Sequence, residues 1–127
     1  MNIGILGSGS VAQTLASGFL KKGHQVMLGT RDSAKLKEFA LQHSEVKVGN
    51  FNDAAVFGEV LVLAVKGTAA LDCLNLIKSE ALKGKILIDT TNPIADAPPS
   101  MEYPLSLQRF PTLYWNVSNT HILKCAA

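Results

Sequence analysis

Apolar positions along the chain alternate between short continuous runs and helical stripes. Ile3 to Leu6 is a short apolar run that meets Gly7, Ser8 and Gly9. A helical pattern begins near Ser10. Val11, Leu15 and Phe19 form one i, i+4 ridge and Ala12, Ala16 and Leu20 the next, which predicts a stripe packed on a sheet. Lys21 and Lys22 suit the negative end of that helix, and Gly23 its left-handed exit. His24, as a hydrogen-bonding turn residue, opens a second strand, Gln25 to Leu28. The next helix takes Asp32, alone or shared with Ser33, as its N-cap, with Leu36, Phe39 and Ala40 facing inward. Val46 to Val48 reads as a third strand, and Asn52 or Asp53 as the cap of a brief helix, Ala54 to Phe57, that Gly58 ends. Val60 to Ala64 is apolar throughout, the pattern of a central parallel strand covered on both faces. Thr68 to Leu82 predicts one helix closed by Gly84, with Leu71, Leu74 and Lys78 in one row and Ala70, Cys73 and Ile77 in another. Ile86 to Ile88, with Asp89, makes a fifth strand.

Strand and helix alternate from residue 2 to residue 89, which calls for an α/β fold with a doubly wound parallel sheet. Beyond it the order changes, because all five prolines lie between Pro93 and Pro111. Such a stretch cannot be one regular helix or an interior strand. Residues 92–111 are expected to form a long loop on the ligand edge, with a short helix around Leu105 to Phe110. Thr112 to Val117 is the expected sixth strand, with Ser118, Asn119, Thr120 and His121 at its C-terminal edge.

A length of 127 residues is one domain's worth, spanning residues 1–127 and able to bury ~65–70% of the unfolded surface. With 47% hydrophobic and 17% charged residues and a net charge of +2, the chain is of ordinary globular type. That charge is too small and scattered to argue for nucleic acid or a membrane surface. The longest apolar run, Val60 to Val65, is far short of a membrane span, and no basic leader precedes a long apolar core, so a cytoplasmic location is expected. Cys73 and Cys125 lack metal-binding spacing, and Cys73 falls on an apolar stripe, where a reduced core thiol belongs.

Two places carry chemistry. The turn Gly7-Ser8-Gly9 with Ala12 reads G-x-G-x-x-A between a strand and a helix. Gly7 permits the sharp exit, Gly9 lets backbone approach a pyrophosphate, and Ala12 lets helix and strand pack closely, while the helix N-terminus supplies free N–H groups. Alone, the motif also fits a plain packing turn. The second place is the end of the second strand, where NAD-binding units carry an acid for the ribose 2′-hydroxyl. Here the residues are Gly29, Thr30 and Arg31. A hydroxyl and a guanidinium donate to a 2′-phosphate that an acid would repel, which favours NADP over NAD. Lys35 is placed to reach the same phosphate, with a plain solvated lysine as the other reading. Val65, Lys66 and Gly67 leave the fourth strand at its C-terminal edge, where ligands of open α/β sheets lie.

The segments ILGSGSVAQTLA, GHQVMLGTRD, LVLAVK, ILIDTTNP and, more faintly, NVSNT resemble the NADP-dependent, coenzyme F420 (deazaflavin) reductase family, which includes the oxidoreductase domain of membrane ferric reductases. The resemblance runs to about Thr120. It implies a Rossmann-type sheet of about six strands and hydride exchange between NADP(H) and a flavin- or deazaflavin-type acceptor, a small molecule stacked on the nicotinamide. By that resemblance Ser8, Ser10 and Val11 bind the pyrophosphate through their backbone, and Thr30, Arg31 and Lys35 the 2′-phosphate. Ala64, Val65 and Lys66 line the adenosine and ribose side, and Asn92, Pro93 and Asn119 lie near the nicotinamide. Two departures stand out: Asn116 and Ser118 replace a lysine and an aromatic residue, and the chain stops at Cys125, Ala126 and Ala127, where the family continues. The C-terminal elements that build the acceptor pocket are thus expected to be missing, with apolar surface left for a partner chain or a homo-oligomer. A second function class fits the same residues: a non-catalytic NADPH-binding or sensing module, or the cofactor half of a larger reductase. An imine or keto-acid reductase would need an additional helical dimerisation domain. No Ser, Cys or His constellation argues for acid–base or nucleophilic catalysis. His121 and Lys66 are the titratable groups expected near the site, each better read as structural or solvated.

Overall fold

Ile5 and Leu6 are completely buried in β1 (Asn2–Leu6), and the fold is laid down on both sides of that strand. The computed structural model describes residues 1–91 and 121–124. After β1 come α1 (Ser10–Lys21), β2 (Gln25–Gly29), a 3₁₀ turn at Ser33–Leu36, α2 (Lys37–Gln42), β3 (Lys47–Gly49) and α3 (Phe51–Phe57). They are followed by β4 (Val60–Leu63), a second 3₁₀ turn at Gly67–Ala69, α4 (Ala70–Asn75), α5 (Ser79–Leu82), β5 (Ile86–Asp89) and β6 (His121–Lys124).

All six strands are parallel, in the order β3-β2-β1-β4-β5-β6. Ile5 pairs with Leu28 on one side and Val62 on the other. The chain therefore winds outward from β1 to β3, returns through α3, and winds the opposite way from β4. The strand order reverses between β1 and β4, and a crevice opens at such a switch point. One face buries Ile5, Val26, Leu28 and Val62 under Ala12, Ala16, Leu36 and Phe39; the other buries Leu61, Leu63 and Leu87 under Ala54, Cys73, Leu74 and Leu82. α3 lies directly on the sheet because β1 and β2 offer glycines beneath it: a Cβ on Gly29 would lie 2.9 Å from the Ala54 Cβ.

Several expected elements took a different form. The helix expected over Thr68 to Leu82 is broken into the turn at Gly67–Ala69, α4 and α5. The Leu76 and Ile77 N–H groups make tight i, i−3 bonds to Cys73 and Leu74, both 3.2 Å, and the Lys78 N–H leaves the helix for the Asn52 Oδ1 on α3 at 3.0 Å. α3 begins earlier than expected. Asn50, not Asn52 or Asp53, is its cap, accepting from the Asp53 N–H at 2.7 Å while the Asp53 carboxylate accepts from the Asn50 N–H at 3.3 Å. Val11, expected on the packed stripe of α1, is 54% exposed, while its neighbour Ala12 takes the buried position. Asp32 does cap the following segment, accepting from the Ala34 N–H at 3.1 Å, although that segment starts as a 3₁₀ turn. The sixth strand is His121–Lys124, with His121 opposite Ile86 at the start of β5. His121 thus stands at the N-terminal edge of the sheet, away from the expected ligand edge; Thr112 to Val117 and the loop 92–111 lie outside the described residues. Among the described residues no helix is long and apolar enough to cross a membrane.

Candidate functional site

The turn after β1 is held from three sides. Gly7 adopts φ of 147°, a region that side chains avoid, and its N–H donates to the Gly29 carbonyl of β2 at 2.8 Å. A Cβ there would strike the Ala64 carbonyl group, whose carbon would stand 2.9 Å away. The Gln13 side chain of α1 donates to the Ser8 carbonyl at 3.0 Å and closes the third side.

Gly9 is the N-cap of α1, in extended backbone, and has no side chain to cap this helix end. The opening N–H groups of an α-helix have no partner within the helix, and the macrodipole places partial positive charge beside them. The first turn of α1 carries no acidic residue to compete for that position. Among the described residues a Cβ built on Gly9 would meet nothing within 4 Å, so they leave the space in front of the turn open. An unfilled cradle of backbone donors under a glycine fits a pyrophosphate.

That cradle forms one wall of a cavity of about 660 Å³ at the C-terminal edge of the sheet. Ser8, Gly9, Ser10 and Val11 come from the glycine turn, Lys35 from the turn after β2, Ala64 to Ala69 from the segment after β4, and Thr90 from the end of β5. Of the residues singled out in the sequence, Ser8, Gly9, Ser10, Val11, Lys35, Ala64, Val65 and Lys66 therefore meet in one place. Gly7 stands behind the wall as its hinge. Asn92, Pro93 and Asn119 lie outside the described residues. Gly67, read from the sequence as leaving β4 at the ligand edge, lines the cavity too, and Thr68, Ala69 and Thr90 do so without having been singled out as ligand contacts; their signal was position, beyond the ends of β4 and β5.

Thr30 and Arg31 are not among the residues lining the cavity. Thr30 is buried, its N–H donates to the Gly49 carbonyl at 3.0 Å, and its hydroxyl donates to the Asp32 carbonyl at 3.2 Å while accepting from the Asp32 N–H at 3.1 Å. The hydroxyl that the sequence offered to a phosphate thus shapes the loop that carries Arg31 and leads to Lys35. Arg31 is exposed, and its positive charge acts on the Cys73 thiol of α4. Burial pushes that thiol up to about 12, with the Arg31 charge opposing, so Cys73 is an inert core group.

Residues 2–93 match the model of the family described as NADP oxidoreductase, coenzyme F420-dependent. A curated relative, the F420-dependent NADP reductase of Methanothermobacter marburgensis, is 36% identical over 103 residues, covering 74% of this chain and 46% of the relative. The crystal structure of a proposed F420-dependent NADP-reductase from Arthrobacter sp. FB24 superposes with a TM-score of 0.82 at 30% identity, over 98% of this chain and 61% of that one. An imine reductase from Aspergillus terreus, in complex with NADPH4 and dibenz[c,e]azepine, shares the fold with a TM-score of 0.73 at 20% identity, over 97% of this chain and 39% of that one. The chain thus spans about half the length of the curated relative it matches. With the glycine turn, the switch-point crevice and a match running from β1 past the end of β5, the chain belongs to the coenzyme F420-dependent NADP oxidoreductase family.

Proposed function

We propose that this chain binds NADP(H) in the cavity at the strand ends and holds its nicotinamide for hydride exchange with a flavin- or deazaflavin-type acceptor. The observation that carries this reading is the convergence, in one cavity, of the open Gly9 cradle, the uncapped α1 N-terminus and Lys35. The backbone of Ser8, Gly9, Ser10 and Val11 holds the pyrophosphate. Arg31 and Lys35 take the 2′-phosphate, with Thr30 fixing the loop between them rather than binding directly. Ala64, Val65 and Lys66 line the adenosine and ribose side. When bound, the cofactor supplies the hydride. A hydride passing between stacked rings needs no acid or base from the protein, whose part is orientation and exclusion of water. The acceptor class is supported by the name of the Methanothermobacter relative, which pairs F420 with NADP.

A second reading, an NADPH-binding module without turnover, is favoured by the character of the cavity: every described feature of its walls serves binding. One experiment separates the two. Purified chain is mixed with NADPH and flavin or deazaflavin acceptors, and loss of NADPH absorbance is followed beside a binding titration. Saturable oxidation supports the reductase, binding alone supports the module, and absence of binding sinks both.

A further inference from the structure

Asp89, the last residue of β5, is completely buried, and its Oδ1 accepts from the Thr91 N–H at 2.8 Å and from the Thr91 hydroxyl at 2.6 Å. A buried carboxylate is costly unless it is hydrogen-bonded, and an apolar residue would serve packing alone equally well. Between these two residues lies Thr90, which lines the cavity. Its N–H and its hydroxyl both donate to the Leu63 carbonyl at the end of β4, at 3.0 Å and 2.7 Å. Thr91 is itself buried. Thr90 is thus tied to β4 in front and locked by the Asp89–Thr91 pair behind.

Sheet order says what that clasp serves. The basic residues Arg31 and Lys35 follow β2, the glycine cradle follows β1, and β4 and β5 lie on the far side of β1. A dinucleotide with its 2′-phosphate toward β2, its pyrophosphate at Gly9 and the turn after β4 along its adenosine and ribose side must run its other end toward β5. Thr90 is the only described wall of the cavity contributed by β5.

We propose that Asp89 is a positioning residue: through Thr91 it fixes Thr90 as the wall against which the nicotinamide half of the cofactor rests. This rests on the NADP(H) reading and adds to it a division of labour within the cavity. The pair stands at the end of β5, whereas the basic residues and the glycine cradle proposed to hold the phosphate-bearing adenosine half follow β2 and β1.

The test compares NADPH with 2′,5′-ADP, which carries only the phosphate-bearing adenosine half, on the full chain by calorimetric titration. Thr91→Val and Asp89→Asn are expected to weaken NADPH roughly tenfold while changing 2′,5′-ADP by less than about twofold, the scale of one ordering hydrogen bond. Thr91→Ser keeps the hydroxyl and is expected to restore NADPH affinity. Thr91→Val, which loses a single hydrogen bond at constant shape, carries the comparison if Asp89→Asn does not fold. Equal weakening of both ligands, unchanged NADPH binding, or a Thr91→Val chain that does not fold overturns the proposal. A wild-type chain that binds neither ligand overturns the NADP(H) reading as well, and so is told apart.

Discussion

Gly7 and Gly9 are two residues apart in one motif, yet their replacement is expected to do opposite things. Gly7→Ala forces a side chain into positive φ and against Ala64, so it destabilises the fold by ~1–3 kcal/mol from backbone strain alone. Gly9→Val places its methyls in open space, so the thermal midpoint stays close to wild type while NADPH binding is lost. Thermal melts and a binding titration on both variants check the pair. Arg31 and Thr30 divide similarly. Arg31→Ala is expected to weaken NADPH by ~1.5–3 kcal/mol, or roughly 10- to 150-fold, and to leave NADH nearly unchanged. Thr30→Val loosens only the loop and weakens NADPH less than Arg31→Ala does, as parallel titrations would show. The sequence reveals residue types at such a loop but not where a hydroxyl hydrogen is engaged. Thr30 therefore read as a phosphate ligand, whereas its bonds run to Asp32.

Elements were legible wherever local pattern and packing agree. β1, β2, β4 and β5 sit within a residue or two of their apolar runs, and Gly23 exits α1 in the left-handed region at φ of 87°. The misreadings fall where a tertiary contact outweighs periodicity. Thr68 to Leu82 keeps a helical apolar pattern, yet the bond from Lys78 to Asn52 draws the backbone away and starts a new helix at Ser79. α3 carried an overlooked signal, Asn50 with an acid three residues on, which is the spacing of a capping box. Asn50→Ala is expected to cost about 1 kcal/mol of stability, measurable by urea unfolding. α4 offers a test through pH. The Cys73 thiol has its folded-state value raised from 9.0 to about 12, so the stability it contributes is full below pH 9.0 and is lost as pH rises toward about 12. Unfolding midpoints recorded across that range should fall more steeply in wild type than in Cys73→Ala.

On the scale of the whole molecule, the alternation of strand and helix sufficed for a doubly wound parallel sheet, because each βαβ unit leaves few ways to pack. What it could not supply was the far edge. Thr112 to Val117 is the more apolar and aromatic segment, but β6 is His121–Lys124, and its pairing with β5 is a long-range choice that no local period encodes. The switch point between β1 and β4 follows from strand order, and with it the place where the cofactor belongs. This place is expected to select NADP(H) through a backbone pyrophosphate cradle and basic residues beyond β2. The most direct test is calorimetric titration of the purified chain with NADPH and NADH under identical salt. One NADPH site is expected, at least about tenfold tighter than NADH, the discrimination that a charge-assisted phosphate contact provides. Equal affinities, tighter NADH, or no binding of either cofactor would contradict it.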